Sequence, residues 1–68
     1  MNMETFKAKA RVLMSIREEY AVEENPTEYF DGYSLVFRTM DDRRIAISYN
    51  KFKKTWKATE LNVKCYGG

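Results

Sequence analysis

The chain has 68 residues, of which 44% are apolar and 32% charged, and its net charge at neutral pH is +2. A chain of this length has room for one core layer, so we predict a single small domain over residues 1–68. The one cysteine, Cys65, excludes an internal disulfide, and with no histidine in the chain we do not expect a structural zinc site.

The stretch Met3–Glu24 is predicted to form one long helix, because it lacks Gly and Pro and is followed by Asn25-Pro26. Its apolar residues recur at helical spacing and fall on one face. Two observations do not suit a plain core helix. Lys9 and Arg17 lie within the apolar arc, where we interpret them as long side chains at its edge. Several glutamates also crowd the C-terminal end, where the helix dipole disfavours negative charge.

The sequence after Pro26 changes to the two-residue period of β-strands. The clearest feature is a hairpin with a turn at Asp41-Asp42. The remaining segments are less regular, and Phe52–Lys57 fits either a helical turn or an irregular entry into a last strand. The predicted elements are an extended connector at Thr27–Phe30, with or without a very short strand, a turn at Asp31-Gly32, strands at Tyr33–Met40 and Arg43–Tyr49, and a last strand at about Ala58–Tyr66.

These elements predict an α+β fold in which one long N-terminal helix packs on a three- to four-stranded antiparallel sheet. The helix and the sheet each have one apolar face, and burying the two faces together forms the core. We expect Cys65 to lie half-buried on the inner face of the last strand. The predicted core residues are Phe6, Ala10, Leu13, Ile16, Tyr20, Leu35, Phe37, Ile45, Ile47, Trp56, Leu61 and Val63.

No arrangement of residues typical of catalysis occurs in the sequence. Histidine, the commonest general acid–base, is absent, and Gly32 is the only glycine before the C-terminal pair, so no glycine-rich phosphate loop exists. We therefore expect no enzymatic activity, no cofactor and no metal. We also find no secretory signal and no apolar run approaching the ~20 residues that span a bilayer. A cytoplasmic protein without a membrane partner is expected.

Charge is distributed unevenly: acids exceed bases by three in residues 1–34, and bases exceed acids by five in residues 35–68. The acidic half gives a first candidate surface, which we call the acidic patch. Acids beside aromatic side chains are suited to a basic partner surface. The acidic patch consists of Glu18, Glu19, Glu23, Glu24, Glu28, Tyr29 and Asp31.

The second candidate surface is a basic, aromatic segment over residues 43–57. Cations hold a phosphate backbone while exposed aromatic rings stack on bases, so this composition is typical of a nucleic-acid contact. The same composition also occurs where aromatics fill a small core and lysines protect a sheet edge. The residues of this surface are Arg43, Arg44, Lys51, Phe52, Lys53, Lys54, Trp56 and Lys57.

The leading functional hypothesis is a small non-enzymatic protein-binding module that covers a surface of a larger protein or ribonucleoprotein, with a homodimer through the helix as a further option. The alternative is a small DNA- or RNA-binding domain that uses residues 43–57. No known family is recognised in the sequence. In size and composition the chain resembles the inhibitors that phages and other mobile elements make against host enzymes or defence complexes, such as anti-CRISPR proteins. That resemblance implies an inhibitor that blocks a surface of a larger complex.

Overall fold

A computed structural model describes residues 1–61 and places one N-terminal helix across one antiparallel sheet. The predicted α+β architecture is therefore confirmed. The sheet has five strands, because a segment predicted as helix is a strand and the connector after Pro26 contains another. The elements are α1 (Met3–Arg17), β1 (Tyr20–Glu23), β2 (Thr27–Tyr29), β3 (Gly32–Thr39), β4 (Arg44–Asn50) and β5 (Thr55–Glu60).

The helix α1 begins as the sequence indicates and ends seven residues before the predicted end at Glu24. At its start, the Asn2 side chain accepts a hydrogen bond of 2.9 Å from the Thr5 backbone N–H, which satisfies one of the unpaired N–H groups of the first turn. At its end, Glu18 adopts extended backbone angles. The prediction of helix over 18–24 is wrong because a strand there gains backbone hydrogen bonds to β3, and its acids leave the negative end of the dipole.

The central strand β3 is paired along both of its edges. On one edge it pairs with β4 from Gly32↔Asn50 to Arg38↔Arg44. On the other edge β1 and β2 lie end to end, β1 beside the C-terminal part of β3 and β2 beside its N-terminal part. Among the described residues β5 pairs with β4 alone, so the order across the sheet is β1 and β2, then β3, β4 and β5. The predicted hairpin of β3 and β4 is confirmed.

The core lies between α1 and the strands β3 and β4. The helix buries a stripe with four-residue spacing, Phe6, Ala10 and Met14, each with no exposed area. The sheet contributes the inward-facing residues of the hairpin, as the two-residue alternation predicts. The buried apolar residues of the sheet's inner face are Tyr33, Leu35, Phe37, Ile45 and Ile47, and Met3, Tyr20, Tyr49 and Trp56 pack partly buried against them.

Six of the twelve predicted core residues are buried, and the prediction is wrong for three others. Leu13, Ile16 and Leu61 are 37%, 77% and 38% exposed. The helix lies over β3 and β4 rather than over the whole sheet, so its buried stripe is narrower than its apolar arc. Met14 and Tyr33, absent from the predicted core, are buried instead. Val63 and Cys65 lie outside the described residues, as does the predicted end of the last strand.

Candidate binding surfaces

Most of the acidic patch is paired with bases of the same chain. Glu18 precedes β1, Glu23 is its last residue, Glu24 follows it, and Glu28 lies on β2. Each of these carboxylates contacts a cation from another part of the chain. The pairs are Glu18–Arg43 at 2.5 Å, Glu23–Arg11 at 2.7 Å, Glu24–Arg44 at 3.0 Å and Glu28–Lys51 at 3.1 Å. Four of the predicted partner-binding acids therefore hold the β1 and β2 side of the sheet to α1, to β4 and to the turn that precedes β5.

These pairs shift the ionisation of their members. The hydrogen bond from Arg11 holds the pKa of the Glu23 carboxyl below its usual value, and the hydrogen bond from Arg44 does the same to the pKa of Glu24. The pKa of Arg43 is raised, first by its hydrogen bond to Glu18 and then by that to Asp41. The carboxylates of Glu23 and Glu24 thus stay ionised at neutral pH, and their charge is compensated within the chain.

Two acids of the acidic patch, Glu19 and Asp31, form no ion pair within 4.0 Å among the described residues. Both are exposed, as is Tyr29. Glu19 precedes β1, whereas Asp31 and Tyr29 lie at the turn between β2 and β3. The structure therefore does not bring the exposed acids together in one continuous patch.

The predicted basic segment divides in the same way. Arg43 and Arg44 are held by the glutamates described above, and Lys51 contacts Glu28 and also lies 4.8 Å from the centre of the Tyr33 ring. Lys53, Lys54 and Lys57 are exposed and meet no acid within 4.0 Å among residues 1–61. Within the basic segment, the cations without an internal acid therefore lie in the turn before β5, at Lys53 and Lys54, and on β5, at Lys57.

Trp56, one of the predicted nucleic-acid contacts, faces the helix. Its ring stacks on Phe6 with a centroid distance of 5.6 Å and lies 4.8 Å from the ring of Tyr49. The residue is half-buried, and it packs against the edge of the core. Of the predicted aromatic contacts in the basic segment, Phe52 is the one with a largely exposed ring, at 66%.

Phe52 pairs with Phe30, a residue that was predicted only as part of the connector. The two rings lie 5.5 Å apart, and Phe30 is 88% exposed. They stand on neighbouring turns, the β2–β3 turn and the β4–β5 turn, which are joined by a hydrogen bond of 2.8 Å from the Lys51 N–H to the Asp31 carbonyl. A phenylalanine directly before an Asp-Gly turn was the available signal, since a turn position exposes its side chain.

The β4–β5 turn has an unusual backbone. Lys54 has a φ of 57°, in the left-handed region that glycine adopts without cost. The Asn50 side chain accepts hydrogen bonds from the backbone N–H groups of Phe52 and Lys53, at 2.9 and 2.8 Å. These bonds fix the turn and present its lysines around the exposed ring of Phe52.

A third surface was not predicted from the sequence. Because α1 covers β3 and β4, it leaves an apolar strip of its own surface beside β5, with Leu13 and Ile16 37% and 77% exposed. Between this strip and β5 runs a shallow groove of about 350 Å³, which we call the α1–β5 groove. It is lined by Leu13, Ile16, Arg17, Ile47, Trp56, Lys57 and Ala58.

Three further observations concern metal binding, membrane crossing and similarity to known proteins. Within residues 1–61, no group of three or more potential metal ligands lies close together. The helix in the described part of the chain lacks the length and apolar character needed to cross a membrane. Comparisons of the chain with protein families, with curated proteins and with solved structures return no match.

Proposed function

We propose that the protein is a small, non-enzymatic, cytoplasmic module that covers a surface of a larger protein partner, in the manner of the inhibitors made by phages and other mobile elements. The observation that carries this proposal is the apolar strip of α1 beside the α1–β5 groove. Exposed apolar surface next to a groove is typical of protein contacts. The strip also has a cationic border, since Lys9 and Arg17 flank it on the helix.

The contact is placed on this strip rather than on the acidic patch. Glu18, Glu23, Glu24 and Glu28 are paired within the chain, so they offer a partner little uncompensated charge. Taking one of their cations away would also leave a carboxylate without its hydrogen bonds. An exposed apolar side chain such as Ile16 loses only its contact with water when a partner covers it, and that burial is favourable.

The test is affinity purification with the whole chain as bait from the organism that encodes it, followed by direct binding measurements with the recovered protein. Ile16→Asp places a charge in the strip and should weaken binding at least tenfold. Ser15→Asp is the matched control, because Ser15 is adjacent, exposed and outside the α1–β5 groove. Equal binding by the two variants would reject the strip as the contact. Glu19→Lys tests the acidic patch without breaking an internal ion pair.

A second function, binding of single-stranded nucleic acid, is favoured by one specific observation: the exposed Phe30–Phe52 pair beside Lys53 and Lys54. Exposed rings stack on unpaired bases, and nearby ammonium groups contact phosphates. Fluorescence anisotropy with single- and double-stranded oligonucleotides tests it. Contact of these two lysines with phosphates of a single strand gives a log–log salt slope of about −1.4. Absence of binding below about 100 μM at low salt would remove this function.

A further inference from the structure

In the described part of the chain, residues 1–61, the outer edge of β5 is open along its length. Within residues 1–61 no strand pairs with it, and β5 contains neither a proline nor a register shift. Its six residues extend for about 20 Å at 3.3 Å per residue. An edge of this kind offers a row of unpaired backbone N–H and C=O groups to another strand.

The hydrogen-bond pattern shows which residues offer those groups. The Leu61 N–H donates to the Arg44 carbonyl at 2.8 Å, and bonded and non-bonded pairs alternate along an antiparallel ladder. Thr59 and Lys57 therefore bond to β4, whereas Ala58 directs its N–H and C=O away from β4 to the open edge. By the same alternation, Trp56 and Glu60 also direct their backbone groups outward.

The open edge and the α1–β5 groove lie side by side. Trp56 and Ala58 oppose Tyr49 and Ile47 on β4, so they share the face of the sheet that carries the helix. A strand added to β5 would point every second side chain toward this face. Those side chains would reach Leu13 and Ile16, which form the other wall of the groove.

Charge determines which kind of strand is suited to this place. Lys9 and Arg17 are exposed on the helix beside the groove, and neither has an acid within 4.0 Å among the described residues. Lys57, which lies between Trp56 and Ala58, directs its side chain to the opposite face of the sheet, so Lys9 and Arg17 form the cationic border of the groove. A second copy of the chain, paired through β5, would set this cationic border against itself. A strand that carries acidic residues complements it.

We infer that β5 binds an extended segment of the partner protein by strand addition, with alternate apolar side chains in the α1–β5 groove and acidic residues beside Lys9 and Arg17. This inference rests on the proposed protein-binding function and specifies its mode. Main-chain hydrogen bonds to β5 supply affinity, and the groove and its cations select the sequence of the segment.

The probe is a displayed library of random ten-residue peptides, selected on the whole chain. We expect enrichment of peptides with apolar residues at every second position and Asp or Glu among the rest. Ala58→Pro removes an outward N–H and leaves the ladder to β4 intact, and it should weaken binding of a selected peptide at least tenfold. Ala58→Ser, which keeps the N–H, is the control and should bind within about threefold.

A second measurement does not depend on the folding of a variant. N-methylation of the selected peptide at successive positions should abolish binding only at every second residue, where the peptide N–H faces β5. Lack of enrichment, enrichment of peptides without alternation, or equal sensitivity of all positions would overturn the inference. So would a dimer in sedimentation that Ala58→Pro dissociates, since the occupant would then be a second copy. A protein partner that Ile16→Asp loses and Ala58→Pro retains would keep the proposed function and reject strand addition alone.

Discussion

The two edges of this sheet are built in opposite ways. The edge formed by β1 and β2 consists of strands of four and three residues, separated around Pro26 and with a register shift between Tyr20 and Val22. The other edge is the unbroken six-residue β5. Short strands, proline and bulges are the devices by which proteins prevent a sheet edge from pairing with other chains. The chain applies them to one edge and omits them from the other.

The charges follow the same division. Along the β1 and β2 edge, Glu23, Glu24 and Glu28 are each bonded to a cation of another element. Along β5, Glu60 lies 3.4 Å from Arg43, whereas Lys57 has no acid within 4.0 Å among residues 1–61. The first edge therefore uses all three of these charges to hold the fold together, whereas the second leaves the charge of Lys57 without an internal partner. A partner that binds at β5 therefore has fewer internal ion pairs to displace than one that binds at the β1 and β2 edge.

The largest expected effect is the difference in stability between a substitution on the buried face of α1 and one on its exposed face. Met14→Ala removes a fully buried side chain and should lower the free energy of unfolding by about 2–5 kcal/mol. Ile16→Ala, at a 77% exposed position, should change it by less than about 0.5 kcal/mol. Chemical denaturation of the two variants measures both. A similar cost for both would mean that the side of α1 facing β5 is covered.

The next effect compares the two sides of β5. Thr59→Pro removes an N–H that bonds to β4 and leaves a carbonyl of that strand unpaired, so it should destabilise the protein by about 1–3 kcal/mol. Ala58→Pro alters only the open side, where proline is tolerated, and should cost less than about 1 kcal/mol. Urea titrations of both variants decide this. The reverse order of stability would mean that the outward groups of β5 are already paired.

Acid should weaken the ion pairs along the edge formed by β1 and β2. Hydrogen bonds from Arg11 and Arg44 lower the pKa of Glu23 and Glu24 below the usual 4.5. A carboxyl whose pKa is lower in the folded state contributes full stability above its unfolded value, and that contribution is lost as the pH falls through the folded value. The urea concentration at the midpoint of unfolding should therefore decrease as the pH is lowered below about 4.5. In Arg11→Gln the pKa of Glu23, measured by NMR, should return toward its usual value, and an unchanged pKa would contradict the pairing.

The smallest effect concerns the turn that leads into β5. Lys54→Gly relieves a left-handed backbone and should stabilise the protein by about 0.5–1 kcal/mol. Lys53→Gly removes the same charge at a position without positive φ, and it should leave stability unchanged or lower. Thermal melting distinguishes the two variants. If both lower nucleic-acid binding while only one raises stability, the lysines act through charge and not through folding.

The fold was predictable where one pattern dominates locally. The alternation in 43–49 and the turn at Asp41-Asp42 give the central hairpin with shifts of about one residue at its ends. The error at Glu18–Glu24 has a physical cause, because a segment that fits a helix locally gained more by pairing with β3. Tyr20 and Val22 favour strands, and the acids at the predicted helix end disfavoured that helix. Both signals favour a strand over a helix at residues 20–23.

The candidate surfaces were less predictable than the fold. Sequence separates the acids of the first half from the bases of the second, yet antiparallel pairing places Glu24 beside Arg44 and Glu28 beside Lys51. Local composition does not reveal such neighbours, because they are about 20 residues apart in the chain. The apolar strip of α1 is equally hidden from local sequence. How much of the helix is covered depends on which strands lie beneath it, and those strands come from distant parts of the chain.

Trp56 gives the molecule an optical reporter of its own. It is the only tryptophan in the chain, it lines the α1–β5 groove, and its indole stacks on Phe6. A ligand that enters the groove must change the polarity around this indole, so its emission should shift to shorter wavelength without any added label. The same signal, shifted the opposite way, would follow unfolding, and one spectrum would therefore distinguish occupancy from denaturation.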